Sequence, residues 1–145
     1  MASKIDTERD FEFTARATRV LLVDEEANDM RTLRLALEGQ GFEVFTCVNY
    51  EAAIRCLETS PVDFVIVSQG TLAFEGRRVL DRAMQLDRRR PVIVVTRCMN
   101  MQCYLEAMQM GAIDYLEKPV PPGELLRFVR THVQHGHNSM QRSVA

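Results

Sequence analysis

The sequence has few of the features that mark a membrane, secreted or nucleic-acid-binding chain. No apolar run approaches the roughly 20 residues needed to cross a bilayer, and a formal net charge of -2 with a pI near 5.9 leaves no overall basic footprint for nucleic acid. The first sixteen residues mix Lys4, Asp6, Glu8, Arg9, Asp10 and Glu12 with little apolar content, so they lack the apolar centre of a signal peptide. They read as a flexible arm on a cytoplasmic protein with no membrane partner and no direct nucleic-acid partner. Cys47, Cys56, Cys98 and Cys103 show no Cys-x-x-Cys spacing and fall in apolar-rich segments. In a cytosolic chain that pattern predicts reduced, mostly buried thiols.

What is present suits one globular domain: 145 residues, 46% of them hydrophobic and 26% charged. From residue 18 the chain alternates short apolar runs with amphipathic stretches. Thr18 to Val23 form a strand that stops at Asp24-Glu25-Glu26, and Ala27 to Gln40 a helix with Met30, Leu33 and Leu37 on one face and Gly41 as its stop. A second strand, Phe42 to Cys47, leads to a helix capped by Asn49 and interrupted before Pro61. Asp63 to Ser68 is the third strand, followed by a loop from Gln69 to Gly76 and a helix from Arg77 to Leu86. Pro91 to Thr96 is the fourth strand, nearly all apolar, as expected when both faces are covered. Asn100 opens a fourth helix that ends at Gly111, Ile113 to Leu116 is a fifth strand, and Glu124 to Val133 a fifth helix. Residues 17–134 make the domain, and residues 135–145 read as a flexible tail.

Five strand and helix units over about 115 residues call for an α/β doubly wound five-stranded parallel sheet, strand order 2-1-3-4-5, with five helices on both faces. Ligands of such sheets bind outside the carboxyl ends of the strands at the switch point. Those ends carry Asp24 and Glu25, Ser68, Thr96 and Lys118. Any one of them is expected where strands run out into solvated loops, but an acidic pair, two hydroxyls and a lysine at one sheet edge form a coherent set.

Three motifs extend that set: Val-Leu-Leu-Val-Asp-Glu-Glu at 20–26, Pro-Val-Ile-Val-Val-Thr at 91–96 and Gly-Ala-Ile-Asp-Tyr-Leu-Glu-Lys-Pro at 111–119. With them the chain resembles the receiver domain of bacterial two-component response regulators, over roughly residues 18–134. The resemblance implies a flavodoxin-like fold and a non-enzymatic signalling module of a phosphorelay. It also implies an acidic pair that holds Mg²⁺, a third-strand aspartate phosphorylated by a histidine kinase, and a Thr and Lys that bind the phosphoryl oxygens. By position these roles fall to Asp24 with Glu25, to Ser68, and to Thr96 with Lys118. The Gly70 carbonyl would complete the metal ligands, Tyr115 would be the aromatic switch, and the bond before Pro119 is one that is often cis.

Ser68 stands where the acceptor aspartate belongs. A hydroxyl is neutral near pH 7 and weak both as nucleophile and as Mg²⁺ ligand unless a base activates it. Neither Asp63, at the far end of the strand, nor Glu75, expected to cap or solvate the third helix, substitutes for it. Arg97 follows Thr96 where the family has a small residue, and either covers the pocket or points to solvent. Leu72 stands where the family often has proline. With the aspartate gone, Lys118 is expected to pair with Glu25 or Asp24 and hold the pocket closed, leaving a weakened Mg²⁺ site and no other cofactor.

The fourth helix concentrates soft side chains: Cys98, Met99, Met101, Cys103, Met108 and Met110. Core packing explains most of them. Met101, Met108 and Tyr115 also suit a partner surface, for a histidine kinase, another signalling protein or a second copy meeting at the fourth helix, fifth strand and fifth helix. Six arginines on and after the third helix read as a solvated face with local ion pairs, with docking of an acidic partner or a nucleic acid as the minority reading. The leading expectation is a degenerate receiver that acts through protein contacts without Asp phosphorylation. A phosphoacceptor using Ser68 or another residue, and a metal or redox sensor on the Met/Cys-rich helix, are its rivals.

Overall fold

A computed structural model describes residues 17–144, with side chains through Val133; the expected arm at residues 1–16 lies outside the described residues. The elements run β1 (Arg19–Val23), α1 (Ala27–Gly39), β2 (Glu43–Cys47), α2 (Tyr50–Thr59), β3 (Phe64–Ser68), α3 (Arg77–Leu86), β4 (Val92–Thr96), α4 (Met101–Gln109), β5 (Asp114–Glu117) and α5 (Pro122–Val144). All four strand pairings are parallel, and the sheet order is β2-β1-β3-β4-β5, as the sequence predicts.

Successive strand side chains point to opposite faces, so each apolar run is divided between two cores. Leu21, Val23, Val65, Val67, Val92 and Val94 pack against Ala53 and Leu57 of α2, Val79 and Leu80 of α3, and Cys103 and Ala107 of α4. Val20, Leu22, Phe64, Ile66, Ile93 and Val95 pack against Met30, Leu33 and Leu37 of α1 and Leu125 and Val129 of α5. β3 and β4 are buried along their whole length, which is why both could be almost wholly apolar. Asn49 and Asn100 cap as expected, their Oδ1 atoms accepting from Ala52 N at 2.8 Å and Cys103 N at 2.9 Å, each worth about 1 kcal/mol.

One expectation about the helices changes. α5 begins at Pro122 and its backbone stays helical to Val144, so the boundary placed at residue 134 falls inside a helix. The segment has no proline beyond its first turn, and a helix already nucleated by packing extends at low cost. The arginines of α3 form the local ion pairs expected of a solvated face: Arg78 pairs with Glu51 of α2 at 2.5 Å, Arg82 with Glu58 of α2 at 2.9 Å, and Arg77 with Glu106 of α4 at 3.0 Å.

α3 starts hard against the end of β3, where Gly76 N donates to Gln69 O at 3.0 Å. A Cβ on Gly76 would lie 2.1 Å from the Ser68 carbonyl oxygen. Gly76→Ala should therefore cost about 2 to 3 kcal/mol in urea unfolding. A midpoint equal to wild type would show that the loop moves aside freely.

Candidate functional site

The carboxyl ends of β1, β3, β4 and β5 converge, because parallel register places Val23 beside Val67, Ser68 beside Val95 and Thr96 beside Glu117. Asp24 follows β1 directly and is only 1% exposed. Its Oδ1 accepts from Glu26 N at 2.9 Å, and its Oδ2 lies 2.7 Å from Lys118 Nζ. Lys118 reaches it from just past β5, where its own N–H donates to Thr96 O at 2.7 Å and the peptide to Pro119 is cis. The ammonium also lies 3.2 Å from Asp29 Oδ2 and 3.3 Å from Glu26 Oε1. Burial pushes it down, but hydrogen bonding and charge from Asp24, with Asp29 and Glu26, outweigh burial and hold it above the ordinary lysine range.

Of the two partners expected for Lys118, Asp24 is the one it takes. Glu25 turns the other way, and its Oε1 accepts from the Tyr50 hydroxyl at 2.9 Å. The same hydroxyl lies 3.2 Å from the Ser68 carbonyl oxygen, and burial followed by Glu25 pushes the Tyr50 phenol well above its usual range. Arg97 neither enters the pocket nor swings free. Its Nε lies 2.6 and 2.7 Å from the two Glu26 carboxylate oxygens and its Nη2 2.7 Å from Asp29 Oδ2, while its side chain stays more than half exposed. Glu26 and Asp29 are thus shared by two cations, one buried and one at the surface. Sequence reasoning missed both: Glu26 was read only as the end of the acidic run after β1, and Asp29 carried no signal that set it apart from the other polar residues of α1.

Ser68 is 7% exposed, and its Oγ accepts from Gly70 N at 3.3 Å. Among the described residues no carboxylate or imidazole is hydrogen-bonded to it. Thr96 Oγ1 donates to Cys98 O at 3.1 Å and accepts from Cys98 N at 3.0 Å. Each hydroxyl closes its own turn. Gly70, at φ +86, takes the left-handed bend that lets the loop leave β3. Asp63 sits at the opposite end of β3, as expected, where its Oδ2 accepts from Arg19 N at 2.8 Å. Glu75 does not cap α3; its Oε1 accepts from Thr71 N at 2.7 Å and from Thr71 Oγ1 at 3.0 Å, which holds its carboxyl below the usual range.

Tyr115 departs most from expectation. Neither on an open partner surface nor solvated at its hydroxyl, it is 4% exposed, donates to Gln69 Oε1 and accepts from Asn100 N at 3.3 Å. Gln69 is wholly buried, which a polar loop residue between Ser68 and Gly70 did not announce. The expected α4 surface also divides: Met101 is 70% exposed and Leu105 is open, while Met108 is half-buried and packs against the core that contains Cys103.

Mg²⁺ prefers six oxygen ligands in tight octahedral geometry. The Asp24 carboxylate is engaged by Lys118 and the Glu26 amide, Glu25 is held by Tyr50, and position 68 offers a neutral hydroxyl. Among the described residues no three His, Cys, Asp or Glu side chains converge on one point. The donor set does not fit a divalent ion without breaking the Asp24–Lys118 pair. The soft-ligand alternative fares no better: Cys98 is exposed, Cys103 is buried, and burial pushes the Cys103 thiol up, away from the reactive thiolate.

Burial also pushes up Tyr115, Cys47 and Cys56. A group raised in the folded state contributes stability that is present below its unfolded pKa and is lost as pH rises through the folded value. Tyr50, Tyr115, the three thiols and Lys118 share that sign, so their contribution should be flat through neutral pH and fall above about pH 9. A urea midpoint unchanged up to about pH 11 would contradict it.

Residues 20–130 match the family model described as the response regulator receiver domain. The chain belongs to the receiver domain family. It is 28% identical over 134 residues to the regulatory protein AtoC of Escherichia coli (strain K12), covering 86% of this chain and 29% of that protein. It is 34% identical over 110 residues to the alginate biosynthesis transcriptional regulatory protein AlgB of Pseudomonas aeruginosa, covering 74% of this chain and 24% of that one. The chain therefore spans less than a third of either regulator. A crystal structure of a CheY-like response regulator receiver domain protein from Methanospirillum hungatei JF-1 superposes with a TM-score of 0.80 at 22% identity, covering 86% of this chain and 99% of that one. That likeness is one of fold. As a receiver, the chain is a module of two-component signalling, a class that works with histidine kinases and other signalling proteins. Among the described residues no helix is long and apolar enough to cross a membrane.

Proposed function

We propose that this receiver signals without aspartyl phosphorylation, as a docking module of a two-component pathway held in a fixed conformation. The observation that carries the reading is the buried Ser68 hydroxyl at the end of β3, with no base bonded to it among the described residues and with Asp24 already paired with Lys118. An acceptor must attack phosphohistidine as an activated nucleophile and share in binding the metal, and a neutral hydroxyl is poorly suited to either role. The protein surface offered is the strip Met99, Met101, Tyr104 and Leu105 at the start of α4, which is open to a signalling partner or a second copy.

Incubation with Mg²⁺ and acetyl phosphate followed by intact mass measurement tests the reading. The expected result is an unchanged mass. A hydroxylamine-sensitive phosphoryl adduct would falsify it outright, and an acid-stable adduct lost in Ser68→Ala would replace it with serine phosphorylation.

A further inference from the structure

The buried glutamine after Ser68 takes no part in the pocket. Gln69 directs its amide towards β5 and α4: Oε1 accepts from the Tyr115 hydroxyl, and Nε2 donates to Thr71 O at 3.3 Å. The Tyr115 hydroxyl in turn accepts from Asn100 N at 3.3 Å, and Asn100 caps α4 through Cys103 N at 2.9 Å. Cys103 Sγ closes back on the same loop at Leu72 O, 3.7 Å away. The hydrogen bonds run in one direction, from the Asn100 amide through the phenol to the glutamine and on to the loop backbone. Each member of a buried network like this depends on the others, since an unpaired polar group there is costly.

We infer that Gln69 is a positioning residue: it holds Tyr115 inward and pins the first turn of α4, so the exposed strip above is set from within the fold and needs no anion at Ser68. This rests on the reading of a fixed docking surface. An apolar residue at 69 removes the acceptor that the Tyr115 hydroxyl takes in the fold. The ring then gains by turning its hydroxyl to water, and Asn100 N–H loses its acceptor at the same time. The neighbouring Tyr104 ring, edge-on to Tyr115 at 5.7 Å between centroids, loses its support as well.

Amide hydrogen exchange and phenol titration on the full chain test this. In Gln69→Leu, Asn100 N–H should exchange about fivefold faster or more, while Val67 and Val94 in the core strands keep their wild-type rates. The Tyr115 phenol should then titrate at lower pH than in wild type, as a ring in water does. Should Gln69→Leu fail to fold, Gln69→Met, which keeps the length of the side chain and removes the amide acceptor, carries the same test at Asn100. Unchanged Asn100 exchange in a folded variant overturns the inference, as does a Tyr115 titration that does not move. The intact-mass experiment on wild type bears on Ser68 alone, so a phosphorylated wild type with a Gln69-dependent Asn100 would overturn the reading of the pocket and not this one.

Discussion

Ser68→Asp should make the stability of the fold depend on Mg²⁺, which that of the wild type should not. The side chain at 68 is 7% exposed and stands at the same sheet edge as Asp24. A new carboxylate there is desolvated and repelled by its neighbours, and the nearby cations are already committed, Lys118 to Asp24 and Arg97 to Glu26 and Asp29. In metal-free buffer the substitution should cost about 1 to 3 kcal/mol. A third carboxylate also supplies the anionic ligand the site lacks, so Mg²⁺ at 10 to 100 times its Kd should return about 1.4 to 2.7 kcal/mol. Urea unfolding with and without the ion measures both terms. The idea fails if wild type and variant respond equally, because the wild-type site would then be binding the ion without the carboxylate.

Lys118→Met should be the most damaging change at the site. It leaves Asp24, 1% exposed, facing apolar carbon where an ammonium stood at 2.7 Å. Breaking a buried pair from one side typically costs about 3 to 5 kcal/mol, because the surviving charge is uncompensated. Asp24→Ala combined with Lys118→Met should recover most of that loss, since the pair itself contributes far less than the orphan costs. Glu26 and Asp29 retain Arg97 in either variant and are too exposed to suffer much. A folded Lys118→Met within about 0.5 kcal/mol of wild type would mean that water reaches Asp24 freely.

The fold was legible because the central strands β1, β3 and β4 advertise themselves as short apolar runs and the helices by their inward faces: Met30, Leu33 and Leu37 on α1, Leu125 and Val129 on α5. The position of the site was legible for the same reason, since sheet order alone brings Asp24, Ser68, Thr96 and Lys118 to one edge. What the sequence hid was direction. Nothing in Asp24-Glu25-Glu26 says that the first carboxylate turns inward to Lys118, the second towards Tyr50 and the third up to Arg97. Gln69 was hidden more deeply, because a polar residue in a loop is ordinarily solvated, and its burial is tolerable because the amide accepts from the Tyr115 hydroxyl and donates to Thr71 O.

The hydroxyl at the end of β3 also bears on time. An acyl phosphate hydrolyses, and its lifetime is the memory of a signal; a hydroxyl forms no such anhydride, so under the proposed reading this protein carries no clock. How much partner it engages then follows its own concentration by mass action. Its message would be written in copies made and degraded, a dose instead of a pulse.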